Sequence, residues 1–205
     1  MKIILFIFIT VFVFLTVGFV GADGVHFDFE TTTQDWRIPD WAYYQEDHRA
    51  ETVEVSKKRA SHGNNSLEMI CDFPGDMWTA ALVEREKDMD LSDYKTISAD
   101  VYLPKQAPGG ILKARIILTA GDGWYFTEMR HTAILIPGKW TTIKARLESE
   151  EQENSDWKGR GDKRLFKNIH NVRKIAIRVE YDASPPHSIG PRYHGSIYVD
   201  NVVIE

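Results

Sequence analysis

The sequence predicts an all-β fold, an antiparallel sandwich around one core, and three observations carry that reading. Apolar and polar residues alternate along most of the chain, helical periodicity is almost absent, and Pro and Gly residues punctuate the alternating runs. In "KTISADVYLP" the residues Ile97, Ala99, Val101 and Leu103 share one face. In "LKARIILTA" the apolar face is Leu112, Ala114, Ile116 and Leu118, opposite Lys113 and Arg115. "KIAIRVEY" turns Ile175, Ile177, Val179 and Tyr181 inward, and Cys71 alternates with Leu67, Met69 and Phe73 as a buried thiol. Turns are expected at Pro108-Gly109-Gly110, Gly121-Asp122-Gly123, Pro137-Gly138 and "ASPPHSIGPR", and one short helix in "KRLFKNIHNV".

The first residues read differently. "MKIILFIFITVFVFLTVGFVGADG" has a single cation, Lys2, an uncharged apolar run and small residues at Gly21-Ala22. This is the pattern of a secretory signal, residues 1–22, cleaved after Ala22. The rival is an uncleaved anchor, since the run is long enough to span a bilayer. Cleavage leaves residues 23–205 as a single domain, secreted, monomeric and with no membrane contact.

Composition excludes other classes. The formal net charge is −5, and loss of Lys2 makes it more negative, which argues against nucleic acid as a partner. One cysteine cannot form an internal disulfide, so an exported domain of this kind depends on burial or a metal. There is no HExxH, no GxSxG elbow and no Gly-rich loop opening a helix.

Carboxylates occur where strand residues are expected. In "GSIYVDNVVIE" Asp200 and Asn201 interrupt an apolar run, and in "VHFDFE" Asp28 and Glu30 fall on one side of a strand. If the first and last strands pair, these oxygens can meet turn carbonyls around a hard cation, for which calcium is the natural candidate. The alternative is separate, solvated carboxylates at strand ends.

At this point the sequence resembles a known family. "VHFDFE", "KKRASHGNNSLEM", "DLSDYKTISADVYLP", "IPGKWTTIKARL" and "GSIYVDNVVIE", in that order, are similar to jelly-roll carbohydrate-binding modules, galactose-binding-domain-like in fold. The placing of the tryptophans most resembles the mannan-binding family 27, within a framework shared with glucan- and xylan-binding families. The resemblance implies a secreted sugar-binding sandwich with a structural calcium, with Glu30 and Asp200 as ligands and Asp28 and the carbonyls of residues 61–63 as further candidates. It also implies a framework role for Trp140. Such modules usually accompany a catalytic domain, so this chain is expected to act alone, to join a glycoside hydrolase partner, or to be a fragment.

The tryptophans then acquire a purpose. Trp36 and Trp41 flank "RIPD", Trp78 follows "PGDM", Trp124 follows "GDG", and Trp157 sits in "ENSDWKGRGDK", all at expected loops or strand edges. Flat, electronegative indole faces stack on the C–H face of a pyranose ring. The expected platform is Trp41, Trp78 and Trp124, assisted by Trp36 or Tyr43, with Trp157 exposed apart from it. Sugar hydroxyls need donors and acceptors in the same groove, and Glu84, Arg115, Glu128, Arg178 and Glu180 are available on outward-facing strand positions. The reading is therefore non-catalytic binding of a β-linked plant polysaccharide, mannan by preference, with β-glucan or xylan as alternatives. The competing reading is a β-sandwich glycoside hydrolase or lyase with Glu128 and Glu180 as its carboxylate pair. A third is a cell-contact protein reading from "RGD" at 160–162, a tripeptide too common to weigh. Asn64-Asn65-Ser66 fits a glycosylation acceptor.

Overall fold

A computed structural model describes residues 24–147, 155–159, 166–183 and 190–205. The proposed signal segment and the RGD tripeptide lie outside the described residues. The strands are β1 (Val25–Phe27), β2 (Ala50–Ser56), β3 (Ser66–Phe73), β4 (Thr79–Met89), β5 (Thr96–Leu103) and β6 (Leu112–Ala120). They continue as β7 (Tyr125–Met129), β8 (Ala133–Ile134), β9 (Lys139–Arg146), β10 (Trp157–Lys158), β11 (Val172–Tyr181) and β12 (Tyr193–Ile204).

Two antiparallel sheets result. The first runs β2-β3-β12-β5-β9, with β1 beside the end of β12, and the second runs β10-β7-β6-β11-β4, with β8 beside β6. The inward sets expected from alternation, including Ile97 to Leu103, Leu112 to Leu118 and Ile175 to Tyr181 in steps of two, all join one buried cluster between the sheets. Cys71 belongs to it, and burial pushes its thiol well above the usual range. "KRLFKNIHNV" provides a 3₁₀ segment, Phe166–Asn171, kinked at Asn168.

Three expectations are corrected. Asp28 and Glu30 are not strand neighbours, because pairing of β1 with β12 ends at Phe27 and Phe29 takes a left-handed φ of 53°. Asp28 instead closes a local turn, accepting from the Glu30 backbone N–H and the Gln34 side chain, each at 3.3 Å. Trp157 is fully buried, not exposed: β10 pairs with β7, and the indole Nε1–H donates to the Arg146 carbonyl at 2.7 Å. Its charged neighbours mislead because alternation turns them outward, where Asp156 pairs with Arg146. Trp36 is also internal, 1% exposed and edge-on to Phe27 and Phe29.

Glu68 is buried on the outer face of the first sheet. Glu68 accepts from Lys58 Nζ at 2.9 Å, Ser196 Oγ at 2.6 Å and the Tyr198 hydroxyl at 3.0 Å. Burial opposes its charge, but these bonds outweigh burial and bring the carboxyl down to about 2 from an ordinary 4.5. A depressed folded-state value adds stability above the unfolded-state value and loses it as pH falls through the folded one. Stability is therefore expected to decline between pH 4.5 and about 2. Glu68→Gln should flatten that part of the profile and cost about 1–3 kcal/mol at pH 7, read by denaturant unfolding at several pH values.

Candidate functional site

The second sheet has two faces of different chemistry. Ile175, Ile177, Val179 and Tyr181 of β11 face the core, so Lys174, Ala176, Arg178 and Glu180 face out. Register extends that face sideways: Ala176 opposes Ile117 on β6 and Glu84 on β4, Arg178 opposes Arg115 and Leu82, and Ile117 opposes Glu128 on β7. All five charged residues expected to line a groove, Glu84, Arg115, Glu128, Arg178 and Glu180, are thus brought onto one face.

Walls rise on both sides of this face. Residues 37–48 run along the β4 edge, tied by reciprocal bonds between Arg37 and Glu84 (2.9 and 2.8 Å) and by Arg49 N–H to the Ala80 carbonyl at 2.7 Å. Their 3₁₀ turn, Asp40–Tyr44, carries Trp41, which is 44% exposed and edge-on to His48 at 4.6 Å between centroids. Across the sheet, the β6–β7 turn closes with Trp124 N–H on the Gly121 carbonyl at 3.1 Å. Gly121 and Trp124 both have left-handed φ, 73° and 50°. For a bulky side chain that conformation costs about 1–3 kcal/mol, and here it holds an indole that is 50% exposed. Phe126, exposed on β7, continues the wall.

Between the walls lies a cleft of about 240 Å³. Its floor is Leu82, Ile117 and Ala176, a small apolar cluster separate from the core. Thr119, His48 and Lys174 complete the lining. One end is charged by Lys174, which pairs with Glu84 and Glu86 at 2.9 Å and whose ammonium lies 5.5 Å from the Trp124 ring centre. The other end is bounded by Arg178, through which the cleft meets an ion network of Arg115, Glu128, Arg178 and Glu180, with Lys158 joining at 3.3 Å from Glu128. Arg115 donates to Glu128 at 2.6 Å and Glu180 at 3.0 Å, and Arg178 donates to Glu128 at 2.5 Å and Glu180 at 2.6 Å.

The expected aromatics divide. Trp41 and Trp124 line the cleft. Trp78, half-buried just before β4, lies 5.9 Å beneath the Arg178 guanidinium and extends the site past the ion network. Tyr43 is exposed on the same turn as Trp41 but outside the cleft lining. Trp36 does not assist, being core. Lys174 and Arg178 are four residues apart on β11, a backbone span of roughly 13 Å that is longer than one pyranose ring, with Trp124 beside the first and Trp78 beside the second. Sequence reasoning missed Phe126, His48, Lys174 and the apolar floor. Parity on β11 signals Lys174 and Ala176, whereas nothing local signals that His48 folds against Trp41.

The carboxylates outside the cleft gather around residues 61–65. Since β1 pairs with β12, Glu30 and Asp200 do approach one loop. Glu30 accepts from the Asn64 and Asn65 backbone N–H groups at 2.8 and 3.1 Å, which lower its proton affinity. Asp200, buried, accepts from Ser61 N–H at 2.7 Å and His62 N–H at 3.0 Å, yet burial still pushes its carboxyl above the usual range. Asp100, which sequence reasoning also missed, is its cross-strand partner. The Ser61 hydroxyl lies 2.8 Å from Asp100 and 3.2 Å from Asp200, and its single proton can serve only one of them. Among the described residues no group of three or more His, Cys, Asp or Glu is arranged to hold a metal, so Asp28, Glu30 and Asp200 do not form a three-carboxylate cage. None of Asp28, Glu30, Asp100 and Asp200 forms an ion pair among the described residues, and oxygen-only donors lacking a cation are the type that suits calcium.

Comparisons with known proteins agree with this geometry. The family described as "mannanase, galactose-binding domain-like" matches residues 27–161. Among solved structures, CBM28, a module specific for non-crystalline cellulose, is similar with a TM-score of 0.57 at 16% identity, covering 87% of this chain and 92% of that one. The xylan-binding CBM22-1 domain of Xyn10C from Paenibacillus barcinonensis is similar with a TM-score of 0.51 at 15% identity over 89% of this chain and 94% of that one. The carbohydrate-binding module TmCBM27, described for specific mannan recognition, has a TM-score of 0.50 at 20% identity, covering 89% and 98%. At these identities the likeness is one of fold. No curated protein matched the chain.

The two classes of tryptophan should separate in unfolding experiments. Trp36→Ala removes a fully packed ring and is expected to destabilise the fold by about 3–5 kcal/mol. Trp124→Ala should stay within about 0.5 kcal/mol of the parent. Equal losses would place both rings in the core.

Proposed function

Because the chain belongs to the family of mannanase galactose-binding-like domains, we propose that it binds a β-linked plant polysaccharide, mannan by preference, and leaves it intact. One observation carries the reading: Trp41 and Trp124 stand half-exposed on opposite sides of the apolar floor Leu82–Ile117–Ala176. Indole faces supply stacking area with little conformational entropy to lose, and the floor removes the ring C–H groups from water. Arg178, Glu180 and Glu84 then offer fixed donors and acceptors to the hydroxyls. The family's description and the mannan recognition reported for TmCBM27 favour mannan over xylan or cellulose.

Geometry weighs against the hydrolase reading. All four carboxylate oxygens of Glu128 and Glu180 accept from Arg115 or Arg178, so neither carboxyl presents a free proton donor to a glycosidic oxygen, as an acid catalyst must. The same bonds make the pair a rigid recognition surface.

Calcium and export belong to the same proposal. Glu30 and Asp200 would hold the ion, which relieves the unmatched negative charge around residues 61–65. The chain would be secreted after cleavage following Ala22, as a monomeric module able to work beside a glycoside hydrolase. N-terminal sequencing of the exported protein tests the cleavage point.

The deciding experiment is calorimetric titration with mannohexaose, cellohexaose and xylohexaose, with the mixtures analysed for shortened products. Mannohexaose should bind without cleavage, and Trp124→Ala should weaken it at least about tenfold. Shortened products would make the protein an enzyme, and no binding of any hexaose would end the polysaccharide reading. Chelation should lower the melting temperature of the parent and leave Asp200→Ala unaffected, because a ligand of the native state alone raises apparent stability. An unchanged parent melting curve would remove the metal.

A further inference from the structure

The opposite side of the sandwich has a second cavity that shares no residue with the first. On the outer face of the first sheet, Glu54, Glu68, Tyr198, Tyr102 and Trp140 stand in direct cross-strand register on β2, β3, β12, β5 and β9. The three aromatics pack in sequence, with centroids 6.0 Å apart for Tyr198–Tyr102 and 5.4 Å for Tyr102–Trp140. Beside them a cavity of about 220 Å³ is lined by Arg59, Tyr102, Lys105, Gln106, Ser196 and Tyr198.

Its chemistry differs from that of the cleft. Arg59 follows β2, Lys105 follows β5, and neither pairs with a carboxylate among the described residues, in a chain of net charge −5. Arg59 lies 5.6 Å from the Tyr102 ring centre and uses one N–H on the Lys58 carbonyl at 2.7 Å, which leaves most of its fork free. The buried carboxylate nearby does not neutralise this charge, because Glu68 is already occupied by Lys58, Ser196 and Tyr198. Those bonds also set the polarity of the wall. Ser196 Oγ and the Tyr198 hydroxyl both donate to Glu68 Oε1, so their oxygens can only accept from anything that enters. Tyr102 and Tyr198 are themselves largely covered, so no open ring face awaits a neutral sugar.

Two unpaired cations beside two obligate acceptors call for a ligand carrying both an anionic group and hydroxyl donors. We propose that this cavity is a second glycan site that takes a uronate, a sugar residue bearing a carboxylate. Arg59 and Lys105 bind the carboxylate, with Arg59 able to do so bidentately. Ser196 and Tyr198 accept sugar hydroxyls, and Gln106 can donate or accept at the rim. The site lies on the sheet opposite the cleft and does not depend on what the cleft binds.

The test is calorimetric titration of the protein with trigalacturonate, with its carboxyl-reduced counterpart and with sodium sulfate, repeated on Arg59→Ala/Lys105→Ala and on Trp124→Ala. Trigalacturonate should bind saturably, weaken as salt is raised, weaken at least about tenfold in the double variant, and bind undiminished to Trp124→Ala. In nuclear magnetic resonance spectra of the parent it should shift the backbone signals of Gln106 and Ser196 but not those of Thr119 and Trp124. The proposal is overturned if trigalacturonate does not bind, if the reduced sugar binds as well, or if sulfate binds as tightly, which would mean a site for charge alone. Loss of binding in Trp124→Ala would likewise overturn it, by assigning the acidic sugar to the cleft. Because both mutated side chains are exposed or in loops, melting curves of the double variant should overlay the parent, and the spectral mapping stands even if they do not.

Discussion

Strand β11 has to serve two environments at once, and the rest of the structure depends on that. It is flanked by β6 and β4 with continuous register from Lys174 to Tyr181, so each residue's parity decides whether it meets the core or the cleft. Ile175, Ile177, Val179 and Tyr181 close the core while Lys174, Ala176, Arg178 and Glu180 form the floor and both charged ends of the cleft. A one-residue slip would bury two cations and a carboxylate between the sheets and expose four large apolar side chains. Fold and binding surface are therefore consequences of one pairing.

The charges on the outer face are arranged to stay fixed. Arg115, Arg178, Glu128 and Glu180 are mostly removed from water, where desolvation costs several kcal/mol per ion and only a well-bonded network recovers it. Such a network adds little net stability. It does hold donors and acceptors in place before a ligand arrives, which lowers the entropy lost on binding. The left-handed backbone at Trp124 acts in the same direction, because local strain there holds an indole at the edge of the cleft.

The cleft and the loop of residues 61–65 treat carboxylates in contrasting ways. In the cleft each Glu meets guanidinium or ammonium groups. Around residues 61–65 Glu30, Asp100 and Asp200 meet backbone N–H groups, hydroxyls and side-chain amides, and no cationic side chain among the described residues. Beyond β5 the excess is reversed, with Arg59 and Lys105 lacking acidic partners. Unbalanced charge in a folded domain is where a ligand is to be sought, and among the described residues these two places carry it with opposite sign.

What the sequence determined by itself was parity. Alternation assigned the inward and outward sets of β5, β6 and β11, and with them the outward direction of Arg115, Arg178 and Glu180, because a strand's side-chain direction is a local property of the backbone. That Glu84 and Glu128 share their face was decided by the pairing of β4, β11, β6 and β7. Coverage was not local. Trp36 and Trp41 stand five residues apart beside the same turn, yet one is packed against Phe27 and Phe29 and the other faces solvent. Trp157 was hidden by charged neighbours whose side chains point the other way. The partner of Asp200 is Asp100, a hundred residues distant, and Glu30 reached the same loop only because β1 lies along β12. Which rings are displayed and which carboxylates meet was decided by contacts between segments far apart in the chain, and no window of sequence contains them.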